Sequence, residues 1–335
     1  MSSVVDKSGD KRRLCVCSRV HQNNADRPVD LAKVRQFLDC AIQYADVIAI
    51  AVGLPPSSDA DLGVKHDASS AGRGSGIVPD FAAVEGIAGA AEAVIAASSG
   101  PGTAGRRREG VEGDGEPWRV RVAGLGGEIA AGDLGCSRRI WIMVVTPWGR
   151  FTPALNALLS FAARDGADMV LFQSLETTVG KDAVSGLETR LGPDDLVVGA
   201  ALAGHTFRAG ETLELTGVTT PWNTLAVWDV RKLSKLGFIG VADGLVPGVA
   251  AGVEEVTAIA TCQALFGPEH ARAKLVRLPQ VEWQTDWKDE ARKRWHESKM
   301  ESKMERARAQ MQALGIRSGS VEHVDAVPIA PGGES

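Results

Sequence analysis

Two periods of apolar residues alternate along most of the chain. Residues 14–20, LCVCSRV, are apolar and β-branched without helical spacing, and predict a short buried strand. Asp30 then offers a cap for a helix running to about Tyr44, with Leu31, Val34, Leu38 and Ile42 spaced for one face. DVIAIAVGL, from residue 46, predicts a second buried strand. Strand, helix and strand in that order form a unit that packs as parallel strands joined by a right-handed crossover.

The same alternation resumes later. RRIWIMVVTPWG predicts a strand, closed by Pro147 and Gly149. TPALNALLSFAARDG predicts a helix with Thr152 as N-cap and Pro153 in its first turn. Leu155, Leu158, Leu159 and Ala162 form its apolar face, and Gly166 stops it. ADMVLF predicts a strand, residues 181–190 a helix, and DLVVGAAL another buried strand. Strands and helices alternating in this way imply the α/β class, as a three-layer α/β/α sandwich around a mostly parallel sheet.

Two stretches break the pattern. Between about residues 55 and 116 Gly, Ala and Ser dominate, and AGRRREGVEGDGEP mixes charges without period. Such composition buries too little apolar surface to offset its ordering entropy, and predicts a largely disordered insertion. Within it, DFAAVEGIAGAAEAVIAA suits a helix through Phe81, Val84, Ile87, Ala91 and Ile95. VAGLGGEIAAGDLG lacks the spacing and the following Lys-Ser/Thr of a phosphate-binding P-loop and reads as a glycine-rich connector. Residues 284–314 predict a long helix of mixed charge, in which Met300, Met304, Ala307, Met311 and Leu314 recur near heptad spacing. That stripe suits a helix laid on the domain, or helix-mediated self-association. The expected organisation is a disordered N-terminus (1–12), one domain over 13–275 interrupted by the insertion, a helical extension (276–315) and a disordered tail (316–335).

Composition narrows the classes of function. The 335 residues can bury a substantial core. A formal charge of -5 gives no general affinity for nucleic acid or anionic membranes. No apolar run reaches membrane-spanning length and none of signal-peptide length opens the chain, so a cytoplasmic location is expected. The scattered cysteines (Cys15, Cys17, Cys40, Cys136, Cys262) read as reduced core thiols. Cys15 and Cys17 point to one strand face and could offer two metal ligands, but no matching Cys/His pair follows.

Parallel α/β sheets bind ligands beyond the carboxyl ends of their strands, which directs attention to the ends of 14–20, 46–53 and 168–173. There the succession PALNALLSFAARDGADMVLFQSLE, with Asn156, Ala162, Gly166, Asp168 and Phe172, resembles the centre of GT-A type glycosyltransferases. These form the nucleotide-diphospho-sugar transferase superfamily, and the likeness is to family-2-like members. TTPWNTLAVWDVRKLSKLGF is similar to the acceptor-side segment of those enzymes, and GVEEVTAIATCQAL to the segment carrying their Glu-Asp pair. The resemblance covers about residues 13–54 and 138–266, in matching order.

It implies a Rossmann-related GT-A fold and transfer of a sugar from a nucleotide-sugar donor to an acceptor. It also implies roles: Ser18, Arg19, Asn156, Ser174 and Glu176 near the donor, Trp222 and Asn223 around the sugars, and Glu254 or Glu255 as the base that deprotonates an acceptor hydroxyl. Adjacent residues on a helix diverge by roughly 100°, so at most one of the two glutamates is expected to face the site.

The departures are as informative. Ser174-Leu175-Glu176 stands where the family has Asp-x-Asp. The family's Mg²⁺ or Mn²⁺ would therefore keep Glu176 as its sole motif ligand, and such hard cations bind anionic oxygens. A basic side chain, Arg19, Arg150 or Lys181, could take the cation's place against a leaving diphosphate. The first strand ends in CSRVHQ and the second at Gly53, without the usual acidic residues. A rival reading is a non-catalytic relative of the fold that acts as a binding or scaffold protein. A third is a nucleotidyltransferase, but no glycine-rich triphosphate loop follows the first strand. His205 lies in a loop able to reach the cleft; His270, His296 and His323 lack partners at metal-ligand spacing.

Overall fold

A computed structural model describes residues 11–21, 28–53, 82–99, 119–123, 138–146, 148–279, 281–283, 294 and 302–325. It is an α/β protein built on a large, mostly parallel sheet of ten strands. β1 (Leu14–His21) leads through α1 (Leu31–Ala41) to β2 (Val47–Gly53). The Asp30 carboxylate caps α1 by accepting from the amides of Ala32 and Lys33, as its place before the apolar period suggests. α2 (Ala82–Ser99), β3 (Arg119–Ala123), β4 (Arg139–Val144), α3 (Thr152–Arg164) and β5 (Met169–Gln173) follow. After them come β6 (Thr177–Val179), α4 (Lys181–Glu188), β7 (Asp195–Ala200), β8 (Thr212–Glu214), β9 (Leu225–Asp229) and the short α5 (Val230–Leu233). A 3₁₀ turn (Gly240–Asp243) precedes α6 (Glu254–Phe266), and β10 (Arg272–Arg277), β11 (Val281–Trp283), α7 (Lys303–Leu314) and β12 (Ser320–Asp325) close the order.

The strands lie in the order β3-β4-β2-β1-β5-β9-β7-β10-β12-β8, and β6 pairs with β11 in a separate ribbon. β9 runs antiparallel to both its neighbours, and β8 antiparallel to β12; every other pairing in the large sheet is parallel. Side chains alternate between two buried clusters, one on each face. Leu14 and Val16 join α1, α2 and α4 through Phe37, Ile87 and Leu187, whereas Cys15 and Cys17 join α3, α6 and α7 through Leu158, Ile259 and Met311. The two thiols are packed core groups, their Sγ atoms 3.5 Å apart. Among the described residues no helix is long and apolar enough to cross a membrane.

One expectation holds and two change. The helix expected within 55–116 is α2, whose Val84, Ile87, Ala91 and Val94 are buried against the body. Small residues permit that packing: a Cβ on Gly86 would stand 3.3 Å from Leu31. The rest of the expected insertion, and the glycine-rich stretch 124–135, lie outside the described residues. The expected helical extension over 276–315 contains the strand Val281–Trp283, and α7 begins at Lys303 after a turn at Ser302; 284–293 and 295–301 lie outside the described residues. Its stripe is used within the chain, with Ala307 and Met311 in the core cluster.

Nor does the chain fray after Gly315. β12 adds to β10 in parallel register and carries β8 on its other edge. The alternation in VEHV is a strand pattern, but one of its two inward residues is His323, which reads as polar. In the fold His323 is fully buried, accepting at Nδ1 from the Arg208 amide, with Nε2 3.1 Å from the Thr219 carbonyl oxygen.

Candidate functional site

The chain leaves β1 in two directions. Through α1 it builds β2, then β4 and β3 on one side; through α3 it returns to place β5 on the other. Connections that diverge from a central parallel strand leave a crevice beyond its carboxyl end. The β1–β5 pairing ends at Cys17 and Phe172, and just past it Ser18 Oγ donates to the Gln173 carbonyl at 2.8 Å. Here a cavity of about 170 Å³ opens, lined by Ser18, Arg19, Gln173, Ser174, Glu176 and Asn223, over a floor of Cys17, Leu155, Phe172 and Leu175.

Antiparallel β9 explains why Asn223 is present. Its start lies beside the end of β5, so the segment entering it reaches the crevice that parallel neighbours meet with their carboxyl ends. Asn223 is 6% exposed, and its Oδ1 accepts from the Trp228 indole at 3.0 Å. Its Nδ2 lies buried without a hydrogen-bond partner.

Glu254 and Glu255 open α6 immediately behind this wall. Val253, which precedes them, is the one non-glycine residue at positive φ (53°) among the described residues. A β-branched side chain is strained in that region by about 1–3 kcal/mol, so the surrounding packing holds the turn in place. Glu255 Oε1 accepts from the Asn223 amide at 2.6 Å, and Glu254 Oε1 stands 3.4 Å from Arg19 Nη2. Both glutamates thus engage residues of the cavity wall from behind it, and neither is a lining residue. Their 100° divergence sends one to the end of β1 and the other to the start of β9. They are 4% and 7% exposed and lie behind the lining, not on it. Burial, followed by the charge of Glu254, pushes the Glu255 carboxyl up to about 7.

Two of the expected ligand-binding side chains serve the fold instead. Asn156 donates from Nδ2 to the Phe238 carbonyl at 2.9 Å and accepts from the Phe238 amide at 2.7 Å. Its amide group is spent on that loop, and it does not line the cavity. Trp222 is 3% exposed, donates to the Gly217 carbonyl, and stacks on His205 with ring centroids 3.6 Å apart. Lys303 Nζ lies 3.1 Å from its ring centroid. The indole belongs to the core and offers no face to a sugar. His205 also turns inward: Nδ1 accepts from the Leu202 amide and Nε2 lies 2.9 Å from the Thr220 carbonyl oxygen. Burial, and then the charge of Lys303, lowers its pKa to about 3, so it is a neutral structural ring.

Ser174 and Glu176 do reach the cavity. Ser174 Oγ donates to Glu176 Oε2 at 2.8 Å, and Lys33 Nζ stands 3.5 Å from Glu176 Oε1. This donor set does not fit Mg²⁺ or Mn²⁺. Glu176 is the one carboxylate among the lining residues, and a dication on it would confront the Lys33 ammonium. Among the described residues no three His, Cys, Asp or Glu side chains gather as metal ligands would. Of the other basic candidates Arg19 lines the cavity, whereas Arg150 is exposed beside the Gly244 turn and Lys181 is exposed at the start of α4.

Sequence reasoning passed over Lys33. Its signal was positional, since the first turn of a helix that follows a parallel strand overhangs that strand's carboxyl end. It also passed over the stacked rings of His21 and Trp148, whose centroids are 4.9 Å apart. They close over Gly53, where a Cβ would collide with both rings, so β2 ends in the one residue that fits there. No protein-family model matches the chain, and a search of curated proteins returns no match.

Proposed function

We propose that the protein is a glycosyltransferase of GT-A-like, three-layer architecture that moves a sugar from a nucleotide-sugar donor to an acceptor hydroxyl. One observation carries the reading. Ser18, Arg19, Ser174, Glu176 and Asn223, drawn from three distant stretches, line a single cavity at the crevice between β1 and β5. The acidic pair at the start of α6 stands directly behind it.

In this reading Glu255 is the base, because a carboxyl near pH 7 is matched to accepting a proton at neutral pH. The acceptor hydroxyl gives its proton to Glu255, its oxygen bonds to the anomeric carbon, and the bond from that carbon to the nucleoside diphosphate breaks. The bonding pair leaves on the diphosphate oxygen. Glu254 holds Arg19 at the cavity and is a positioning residue.

A second reading, a non-catalytic binding protein on the same fold, is favoured by the burial of both glutamates and the structural use of Asn156 and Trp222. Thermal unfolding of the full chain with millimolar UDP-, GDP- and CDP-sugars, followed by a transfer assay with Glu255→Gln beside the parent, separates the two. Stabilisation by one donor, with turnover lost in E255Q, supports transfer. No stabilisation by any donor selects the binding protein.

A further inference from the structure

We infer that Gln310, with Arg306 beside it on α7, is a positioning residue for the acidic pair: it fixes the turn at Gly252 and Val253 that aims Glu254 and Glu255 at the cavity wall. Its effect on turnover rests on the reading of Glu255 as the base; its hold on the carboxyl does not.

The body of α6 is fixed by its core residues, Val256 and Ile259 among them, but its first turn has no local device. No side chain caps it, and Val253 enters it at φ 53° directly after Gly252 at φ 107°. Two successive residues at positive φ do not hold themselves, because only the glycine adopts that region without strain.

Helix α7 supplies what the local sequence lacks. Gln310 Nε2 donates to the carbonyls of Ala250 and Gly252, both at 2.8 Å, and Arg306 Nη1 donates to the carbonyl between them, on Ala251, at 3.2 Å. Three consecutive carbonyls ahead of Val253 are thus held from one helix. The Gly252 amide donates in turn to the Ala242 carbonyl at 2.8 Å, so this residue is gripped on both sides. Gln310 is fully buried, and Arg306 is braced by Ser302, whose hydroxyl accepts from Nη2. Space is closed there as well: a Cβ on Gly252 would stand 2.7 Å from Arg306 Nη1.

Glu254 and Glu255 follow the turn immediately. A turn released from α7 lets the first helical residues swing, so the contacts of Glu254 with Arg19 and of Glu255 with the Asn223 amide both depend on it. Charged groups face the pair from two elements: Arg19 from β1, and Lys303 and Arg306 from α7. Burial is the largest cause of the raised Glu255 carboxyl and the Glu254 charge the second, while the Asn223 bond and the Lys303 charge act against them. Loosening the turn admits water, which removes the largest cause and brings the carboxyl down toward its ordinary value.

Gln310→Met tests this without changing charge. The difference in thermal unfolding between the parent and E255Q, followed from pH 4.5 to 8, isolates the stability that Glu255 confers. In the Q310M background the pH at which that difference is half lost should fall by about one unit. Gln310→Asn, a methylene shorter, should act in the same direction and serves if the methionine variant fails to fold. The control is Gln263→Met, which removes another buried glutamine, one that bonds the Ala271 and Ser320 carbonyls from the far half of α6. There the midpoint should stay. In a transfer assay kcat of Q310M should fall about tenfold or more with the donor KM within about twofold, and the rise of kcat/KM with pH should move down with the stability midpoint. An unmoved midpoint in both Gln310 variants, or an equal movement in Q263M, overturns the inference and leaves the transfer reading standing. A moved midpoint in a chain that turns over no donor supports the inference and removes Glu255 as a base.

Discussion

The backbone amide of Asn223 donates a 2.6 Å hydrogen bond to Glu255 Oε1, joining the start of β9 to the first turn of α6. A cavity-lining residue and a member of the acidic pair thereby become one unit. Moving the carboxylate moves the wall, and the carboxyl's protonation is set by the same burial that fixes it there.

The pH dependence of stability follows. Glu255 titrates near 7 in the folded chain and near 4.5 when unfolded, so between those values the folded state holds the proton more tightly. Stability conferred by the neutral carboxyl is full below about pH 4.5 and lost as pH rises to about 7. Glu255→Gln should flatten that decline, by on the order of 1–3 kcal/mol, in thermal unfolding series from pH 4.5 to 8. Burial also raises Glu188 to about 7, so part of the decline should remain in E255Q and be removed in the double variant with Glu188→Gln, leaving the opposite slope of His205, whose lowered pKa makes the folded chain more stable as pH rises to about 6.5. In a transfer assay the parent's kcat/KM should rise with pH through about 7, and E255Q should fall by about 10²–10⁴-fold. A parent rate indifferent to pH across that range would remove Glu255 as the base.

Asn156 should matter to stability and not to ligand affinity. Asn156→Ala strips both backbone groups of Phe238 of their partner, and is expected to cost about 2–4 kcal/mol in urea unfolding. Gly237→Ala should also destabilise, because Gly237 sits at φ 68° and an added Cβ would stand 2.7 Å from Asn156 Oδ1. Nucleotide affinity of the folded fraction should match the parent; a selective loss of affinity would return Asn156 to the site.

Helix α3 is capped from a distance. The sequence points to Thr152, yet the helix starts at that residue, and the Asp243 carboxylate accepts from the amides of Arg150, Phe151 and Thr152. Asp243→Ala should cost about 2–3 kcal/mol and Asp243→Asn less, measured by chemical denaturation. If Thr152→Ala proved the more damaging change, local capping would be the stronger device.

Removing residues 316–335 should leave a chain that does not fold cooperatively. The cut takes away β12, exposes an edge of β10, and strands Gln263, which donates to the Ser320 carbonyl and accepts from the Ser320 amide. A sharp unfolding transition at the parent's temperature for chain 1–315 would show that β12 is an accessory strand.

Residues 14–20, 46–53, 168–173 and 195–200 announced themselves as strands because continuous apolar runs admit burial on both faces of a parallel sheet. Asp30 and the α3 face were equally local signals, readable from period and capping chemistry. The meeting of SLE with Ser18 and Arg19 was foreseeable in outline, since parallel strands place their carboxyl ends together, whereas Asn223 arrives at the start of antiparallel β9. What each polar side chain does there was not: Asn156 and Trp222 carry the chemistry of ligand binding, but Phe238 and His205 occupy them first.

The amino-acid order by itself determined the strands at 14–20, 46–53, 168–173 and 195–200 and the helices α1 and α3, because these depend on neighbours within a few residues. Tertiary structure alone decided that Asp243 caps α3, that Lys33 faces Glu176, and that Glu255 is held near neutrality. Those outcomes depend on groups brought together from distant positions and on the removal of water around them, neither of which is written in any single stretch of the chain.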